Sequence, residues 1–333
     1  MDMTAQHDFP LVNLHEFETT SSTGRLEYGS RVDTICRRSG FLAITGHGVP
    51  ADLIETMWDE TRKFFDLPLE QKLKACPRQP GDPYGYFTVK SEALARSRAG
   101  MDRGPLLPDL KESFSCGPIH PLTGREGADE LAFCYAPTPW SAVSPAFHAT
   151  WIAYYDAMEK LAERIMRLFA CALGLPEAYF NPYFRAPISS LRGLNYPEQD
   201  TAPQPGQIRA GAHSDYGTLT LLLPQQGSGG LEILGPDGQW QAVPAIPDAF
   251  VINIGDLMAL WTNNRWVSTV HRVVNPPSSR KGQDRRQSLA FFQQPDWDSM
   301  IEALPNCVST GHPPVFSPVR SGTYLMNKFR STQ

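Results

Sequence analysis

The second half of the chain is a series of short apolar segments separated by turn residues, and this pattern constrains the fold more than any other feature. From about residue 187 onward the segments are SSLRGLNY, GTLTLLL, GLEIL, QWQAV, AFVINIGD, STVHRVV and SLAFFQQ. Pro, Gly, Asn or Asp stands between neighbouring segments, as is usual between β-strands. Many short strands at this spacing predict a β-sandwich or barrel.

The first half of the chain has a different pattern, because its apolar residues recur at helical intervals. Helices are predicted over residues 26–38, 51–66 and 145–174, and the apolar segment FLAIT at 41–45 predicts a strand. Helices that pack outside a strand-built half favour one integrated domain over two independent ones.

We therefore expect residues 1–333 to form a single domain. Its predicted parts are a mostly helical N-terminal region at 1–180, a β core at 185–295 and a C-terminal segment at 296–333 that packs on the core.

Composition excludes several classes of protein. The 333 residues carry a net charge of −5, so there is no basic surface for nucleic acid. No apolar run approaches the roughly 18–20 residues of a membrane span, and the first residues lack the pattern of a secretory signal. The six cysteines are scattered without a CxxC, which favours reduced thiols in the cytoplasm.

A histidine and an aspartate stand two residues apart in GAHSDYGTLTLLL, directly before an apolar segment. Residues i and i+2 of a strand point to the same face, so His213 and Asp215 are expected to project together into a barrel interior. A neutral imidazole and a carboxylate suit a divalent transition metal such as iron. Such a pair also arises often by chance, so alone it is a weak signal.

A third candidate ligand, His271, lies in the predicted strand STVHRVV. We expect it to reach the same interior from the opposite sheet. Two histidines and one carboxylate on one face of an octahedron leave three coordination positions open, which is the facial triad of non-haem iron sites. The alternative for His271 is a hydrogen-bonded histidine of the core.

Arg286 and Ser288 stand two residues apart in RRQSLAFF and share one face of another predicted strand. A guanidinium captures a carboxylate with two hydrogen bonds, and a hydroxyl adds one more. An arginine inside a barrel needs an anionic partner, because an unpaired buried charge is costly. The alternative, a surface arginine that pairs with an exposed acid, fits the neighbouring Arg285 better.

These motifs, in this order, resemble the HxD…H…RxS set of the Fe(II)/2-oxoglutarate-dependent dioxygenases, in particular their isopenicillin N synthase-like branch. The resemblance covers nearly the whole chain. Other segments that resemble this branch are RRSGFLAITGHGVP at 37–50, FFDLPLEQK at 64–72, PDLKESFSCG at 108–117 and LRGLNYP at 191–197. Each fragment is modest evidence, but their order is highly specific.

The resemblance implies a mainly β fold with flanking helices, whose core is a distorted double-stranded β-helix (jelly-roll). A family N-terminal segment would span about 8–120. The implied activity couples the oxidative decarboxylation of 2-oxoglutarate, with dioxygen, to hydroxylation, desaturation or cyclisation of a small organic substrate. We expect this reaction to belong to specialised metabolism, and the protein to be a cytoplasmic monomer.

The resemblance also implies roles for individual residues. Fe(II) would be bound by His213, Asp215 and His271. The distal carboxylate of 2-oxoglutarate would be bound by Arg286, Ser288 and Tyr196. Plant-type members have an asparagine two residues before this tyrosine, whereas this chain has Leu194, so one polar contact to the cosubstrate or substrate is in doubt.

Substrate contacts are predicted with less support from the sequence. Besides Leu194, the candidates are Tyr84, Tyr86, Lys111, Phe114, Arg192 and Phe292. The alternatives are turn or core aromatics for the tyrosines, a solvated charge for Lys111 and simple packing for Phe292. If Arg192 faces the interior, we expect it to select a substrate that carries a carboxylate.

Three other functions stay open at this point. An iron oxidase of the same fold that needs no 2-oxoglutarate keeps an RxS for its substrate, so Arg286 and Ser288 do not exclude it. A non-catalytic β-helix module that binds a small molecule has no physical need for three inward-facing metal ligands. A zinc hydrolase on the same ligands has no role for carboxylate capture by Arg286.

Overall fold

The computed structural model describes residues 9–98, 107–120, 132–199, 203–276 and 284–331. Its strands are β1 (Leu11–Asn13), β2 (Phe41–Thr45), β3 (Gly85–Phe87), β4 (Glu112–Cys116), β5 (Ser190–Tyr196), β6 (Ala210–His213), β7 (Leu219–Pro224), β8 (Leu231–Leu234), β9 (Trp240–Ala242), β10 (Phe250–Ile254), β11 (His271–Val273), β12 (Arg286–Gln293), β13 (Met300–Ile301) and β14 (Val319–Arg320). The helices in these ranges are α1 (Leu14–Thr19), α2 (Ser22–Arg38), α3 (Ala51–Phe65), α4 (Leu69–Leu73), α5 (Pro145–Ala172), α6 (Asp256–Trp261) and α7 (Ser321–Arg330). None of these helices has both the length and the hydropathy of a membrane span.

Two β-sheets form the core of the molecule. The larger sheet has the strand order β1-β2-β10-β7-β12-β5-β4-β3, and only its β1–β2 pair is parallel. The smaller sheet has the order β6-β11-β8-β9 and is antiparallel. Side chains of both sheets line one cavity. This arrangement confirms the predicted fold class, a mainly β protein with a double-stranded β-helix core and flanking helices.

The outer face of the larger sheet is covered by α5. This helix begins at Ser144, whose side chain accepts a hydrogen bond from the backbone N–H of Phe147, a common N-terminal cap. Its buried aromatic side chains pack on the sheet, and the ring centroids of Tyr155 and Phe291 lie 5.1 Å apart. Because α5 shields this face from water, the opposite face of the sheet is left to line the cavity.

The elements predicted from periodicity are present with small shifts of their ends. The helices predicted at 26–38, 51–66 and 145–174 are α2, α3 and α5, and FLAIT is β2. The N-terminal strands β1, β3 and β4 were not predicted. Two of them have three residues each, and three of the five residues of β4 (ESFSC) are polar, so none of the three is long or apolar enough to give a clear strand signal.

Candidate active site

Alternation along the strands of the larger sheet decides which side chains reach the cavity, because successive residues of a strand point to opposite faces. The cavity has a volume of about 170 Å³. On β5 and β12 the residues that line it are Ser190, Arg192, Leu194, Tyr196, Arg286, Ser288, Ala290 and Phe292. The residues between them point toward the helices, so one strand face supplies polar groups to the cavity and the other supplies packing.

Three potential metal ligands meet at one end of the cavity. His213 ends β6 and His271 begins β11, and the two residues are direct partners in antiparallel register. Asp215 Oδ1 lies 3.8 Å from His213 Nε2 and 3.6 Å from His271 Nε2. Atoms at this spacing can surround one ion at metal–ligand distances of about 2.0–2.2 Å. The three side chains therefore fit a divalent transition metal.

The route by which these ligands meet differs from the prediction. His213 and Asp215 do not lie on one strand, because β6 ends at His213 and Asp215 lies in the crossing between the smaller sheet and β7 of the larger sheet. The expectation that His271 comes from the opposite sheet is also wrong, since β11 is paired with β6. Strand pairing brings the two imidazoles together, and the crossing brings the carboxylate.

Two polar side chains of the larger sheet orient the carboxylate of Asp215. Its Oδ2 accepts hydrogen bonds from Thr220 Oγ1 and from Asn253 Nδ2, the latter at 2.7 Å. Its Oδ1 is thereby left facing the two histidines. Burial raises the pKa of Asp215, but His271 and His213 outweigh it and hold this pKa below its ordinary value. The carboxylate is thus held ionised in the orientation of a ligand.

Backbone carbonyls orient both imidazoles. His213 Nδ1 lies 2.7 Å from the carbonyl oxygen of Gly211, and His271 Nδ1 lies 3.1 Å from that of Thr269. A carbonyl oxygen only accepts hydrogen bonds, so each Nδ1 carries the proton and each Nε2 keeps a lone pair. Burial, followed by repulsion from His271, lowers the pKa of His213 to about 4. A neutral imidazole of this tautomer is a metal ligand.

Arg286 is a buried cation without a counterion in the described part of the chain. Its side chain donates from Nε to the carbonyl oxygen of Gly229 at 3.0 Å and from Nη1 to Ser288 Oγ at 3.5 Å. Its guanidinium carbon lies 4.9 Å from the centroid of the Tyr196 ring. Because an isolated buried charge is costly, this cluster fits an anionic group of a bound molecule. The adjacent Arg285 instead pairs with Asp66, outside the cavity.

The predicted substrate residues divide into two groups. Those that line the cavity are Tyr84, Lys111, Arg192, Leu194 and Phe292. Tyr86 and Phe114 do not line it, which corrects the prediction that they contact the substrate. They point to the helix side of β3 and β4, where the hydroxyl of Tyr86 donates to Glu112 and the ring of Phe114 packs 5.1 Å from that of Trp151.

Two of the cations that line the cavity, Lys111 and Arg192, are paired with acidic side chains. Lys111 is only 2% exposed, so it is not the solvated surface charge of the alternative interpretation. Its Nζ lies 2.8 Å from Asp109 Oδ2 and 3.2 Å from Glu92 Oε2. Arg192 Nη1 lies 3.1 Å from Glu92 Oε1. The Tyr84 hydroxyl is also engaged, since it donates to the carbonyl oxygen of Cys134 at 3.1 Å.

Sequence reasoning missed Thr220, Asn253 and Glu92. The first two were visible as polar residues inside the apolar strands GTLTLLL and AFVINIGD, where a buried polar side chain needs a partner. Glu92 lies in a loop between β3 and β4 and carries no local signal. The C-terminal helix was also missed as a wall of the cavity, to which it contributes Leu325 and Phe329.

Comparison with known proteins places this site in a family. Residues 188–295 match the model of the 2OG-Fe(II) oxygenase superfamily, and residues 9–142 match that of the N-terminal region of the non-haem dioxygenase in morphine synthesis. The 2-oxoglutarate-Fe(II) type oxidoreductase hxnY of Emericella nidulans is 32% identical, over 93% of this chain and 86% of its own. The chain belongs to the 2-oxoglutarate–Fe(II) oxygenase superfamily. The family predicted from the motifs is therefore confirmed.

Other members of the superfamily extend the likeness to the whole chain. Validamycin A dioxygenase of Streptomyces hygroscopicus subsp. limoneus is 33% identical, over 96% of this chain and 85% of its own. The crystal structure of full-length Neurospora crassa T7H with alpha-KG and thymine has a TM-score of 0.81 and 29% identity, with 97% of this chain and 96% of that one covered. As a member of this superfamily the protein is an oxidoreductase that uses Fe(II), 2-oxoglutarate and dioxygen.

Proposed function

We propose that Fe(II) is bound by His213, Asp215 and His271, and that Arg286 and Ser288 bind the distal carboxylate of 2-oxoglutarate. The observation that carries this assignment is one cavity with a metal-binding triad at one position and an uncompensated buried guanidinium at another. A dicarboxylate that reaches both positions satisfies the open metal positions and the unpaired charge together.

In this proposal the ring of Tyr196 supports the cosubstrate indirectly. It packs against the guanidinium of Arg286, which restricts that side chain to the cavity. Leu194 gives an apolar wall where an asparagine was expected, and its neighbour Ser288 supplies the hydroxyl at this level of the sheet. Leu194 therefore makes no polar contact of its own at this level of the cavity.

The chain's own residues prepare the reaction. Bound iron, with 2-oxoglutarate and dioxygen, supplies the power to oxidise an unreactive C–H bond. The triad occupies three positions of the metal and leaves three for the reactants. Thr220 and Asn253 fix the carboxylate ligand, and the apolar side chains Phe292 and Leu325 exclude water from the substrate.

We propose that the substrate is a small organic molecule of specialised metabolism, which is hydroxylated, desaturated or cyclised in the cavity. The volume of about 170 Å³, which the substrate would share with 2-oxoglutarate, supports a small molecule. We further propose a single-domain, monomeric protein of the cytoplasm. The six free cysteines support the cytoplasm, and the direct pairing of β2 with β10 and of β4 with β5 supports a single domain.

Anaerobic absorption spectroscopy tests the proposed ligands. Addition of Fe(II) and then 2-oxoglutarate to the metal-free protein is expected to give a visible charge-transfer band. His213→Ala is expected to abolish the band. Arg286→Gln is expected to raise the 2-oxoglutarate concentration at which the band reaches half of its maximum intensity by roughly tenfold or more, since a charge-assisted bidentate contact is lost.

The matched control is Arg285→Gln. This substitution also removes one positive charge, but from the neighbouring residue, whose side chain pairs with Asp66 outside the cavity. Equal weakening of 2-oxoglutarate binding by both substitutions contradicts the role of Arg286. Iron binding without any band, at any 2-oxoglutarate concentration, contradicts the proposed cosubstrate site.

A further inference from the structure

Three buried charged side chains and the half-buried Arg192 form a connected network beside the cavity. Arg192 donates from Nε to Ser115 Oγ at 2.8 Å and lies 3.1 Å from Glu92 through Nη1. Glu92 also contacts Lys111, which in turn contacts Asp109. We name Glu92, Asp109, Lys111 and Arg192 the acid–base network; it holds two positive and two negative charges and is neutral as a whole.

Two members of the network, Glu92 and Lys111, hold each other in the charged form. Burial raises the pKa of Glu92, but Arg192 and Lys111 outweigh this effect and lower it to about 2. Burial lowers the pKa of Lys111, yet Glu92 and Asp109 outweigh that effect and raise it above its ordinary value. Pairing therefore keeps Glu92 and Lys111 charged, and because each cation of the network contacts an acid of the network, neither cation needs a counterion from a ligand.

The rest of the cavity also becomes neutral once it is loaded. Among the described residues that line it, the other formal charges are the carboxylate of Asp215 and the guanidinium of Arg286. These two cancel, and the two positive charges of Fe(II) cancel the two negative charges of 2-oxoglutarate. A charged substrate would therefore enter a buried space without a free counterion, which is costly.

We propose that the substrate is an uncharged molecule that presents a hydrogen-bond acceptor, such as a carbonyl oxygen, to Arg192. The inference rests on the proposed function, since the charge balance includes the iron and the cosubstrate. Within the described ranges no group accepts a hydrogen bond from Arg192 Nη2, so this donor is available in the cavity. Glu92 cancels the charge of Arg192 and leaves it a hydrogen-bond donor.

This proposal replaces the expectation that Arg192 selects a carboxylate. That expectation was correct about the face of β5 on which Arg192 lies, but it assumed a guanidinium with no partner. A carboxylate near Arg192 would have to compete with Glu92, whose oxygens are already 3.1 and 3.5 Å from Nη1. We expect Arg192 to bind an anionic substrate group only when Glu92 is removed.

Three single-ring probes of matched size test the charge preference: phenylacetamide, phenylacetate and phenethylamine. The probes are kept to one ring because 2-oxoglutarate already takes up part of the cavity of about 170 Å³. Dissociation constants are measured anaerobically by isothermal titration calorimetry on the full chain loaded with Fe(II) and 2-oxoglutarate. The charge-transfer band is recorded first, so that a failure to load, which contradicts the proposed function, is separated from a failure of this inference.

The wild-type protein is expected to bind the amide at least tenfold more tightly than the acid or the amine. Glu92→Gln is expected to reverse the order of acid and amide, because it leaves the charge of Arg192 uncompensated. Glu112→Gln is the matched control. Glu112 is also buried and paired with a lysine, but it lies on the helix side of β4, so its loss should leave the order unchanged.

The inference is overturned by two results in protein that forms the band. One is wild-type binding of the acid within about threefold of the amide. The other is that Glu92→Gln leaves the order of affinities unchanged. Failure of every probe to bind to either protein counts as this second result. A reversal produced equally by Glu112→Gln would also overturn it, since position in the cavity would then be irrelevant.

Discussion

The oxygen of Asp215 that faces the two histidines is selected by the neighbours of the carboxylate and not by the His-x-Asp motif itself. Thr220 and Asn253 bind the other carboxylate oxygen, so only Oδ1 is left for a metal. Such supporting hydrogen bonds fix the orientation and basicity of a ligand. Both side chains belong to the larger sheet, whereas the two histidines belong to the smaller one, so the site depends on the contact between the sheets.

Thr220→Val is predicted to weaken Fe(II) binding roughly 10- to 100-fold, because it removes one of these hydrogen bonds at almost constant volume. An anaerobic titration of the metal-free protein measures the dissociation constant. Thr218→Val is the control, since Thr218 is a buried threonine two residues away whose hydroxyl donates to the carbonyl oxygen of Gln293 at 2.9 Å. Equal losses in both variants would show that Asp215 does not depend on Thr220.

Residue types and spacing were enough to name the candidate ligands and the Arg–Ser pair. Alternation along a strand explains only Arg286 and Ser288 on β12, because Asp215 lies beyond the end of β6. Charge pairing was not predictable in the same way. Glu92 lies 100 residues from Arg192 in sequence, and nothing local to either residue indicates that they meet. Long-range ion pairs inside a cavity depend on the final packing of loops.

At the scale of elements, the loop that carries Asp215 is held against the first turn of α6. The backbone N–H groups of Asp256 and Leu257 donate to the carbonyl oxygens of Asp215 and Gly217 at 2.8 and 3.0 Å. The chains approach closely here, and a Cβ on Gly255 would lie 2.2 Å from Gly217 O. The position therefore requires glycine for space, although its φ is an ordinary −95°.

Gly255→Ala is predicted to lower the free energy of unfolding by about 1–3 kcal/mol, because backbone must move to relieve the overlap. The same movement displaces the Asp215 loop, so iron binding is expected to weaken as well. Urea denaturation and the iron titration measure the two effects. Gly311→Ala is the control, since no heavy atom lies within 4 Å of the added carbon. Wild-type iron affinity in Gly255→Ala would contradict a link between α6 and the ligand loop.

Elements with strong periodicity were predictable, and elements defined by pairing were not. The α5 stripe of apolar residues and the FLAIT strand needed no knowledge of the fold. In contrast, β4 carries two serines on one face, of which Ser115 lines the cavity, and it is a strand because β3 and β5 pair with its two edges. The segment between β6 and β7 was predicted to lead His213 and Asp215 along one strand. The order of polar and apolar residues there does not show where β6 ends.

At the scale of the whole molecule, the acid–base network makes stability depend on pH. The folded-state pKa of Glu92 is about 2, below its ordinary value of 4.5. Its contribution to the free energy of unfolding is therefore fully present above about pH 4.5, and it is lost as the pH falls toward 2. The size of this contribution is at most about 3 kcal/mol for a shift of this magnitude.

Comparison of the wild type with Glu92→Gln by urea denaturation at several pH values measures this contribution. The difference in unfolding free energy is predicted to be largest near neutral pH and to shrink below about pH 4.5, because the unfolded state takes up the proton first. Glu112→Gln serves here too as a buried comparison. A difference that does not vary with pH would mean that Glu92 is not ionised in the folded protein.

The overall architecture brings together groups that the chain separates widely. The smaller sheet supplies both histidines, the larger sheet supplies Arg286 and the supports of Asp215, and α7 closes one wall with Leu325 and Phe329. Strand spacing predicted the class of fold, and the motif order predicted the family. The sequence predicted only that the residues of α7 belong to a C-terminal segment that packs on the core. An apolar helix face has the same periodicity whether it is buried in a core or against a cavity, so the pattern did not indicate a cavity wall.

The most direct test of the central claim is a crystal structure grown anaerobically with Fe(II) and 2-oxoglutarate, with anomalous data collected at the iron absorption edge. We expect one anomalous peak at about 2.0–2.2 Å from His213 Nε2, Asp215 Oδ1 and His271 Nε2. We also expect density for the distal carboxylate against Arg286 and Ser288. An iron peak elsewhere, or a carboxylate bound away from Arg286, would contradict the claim.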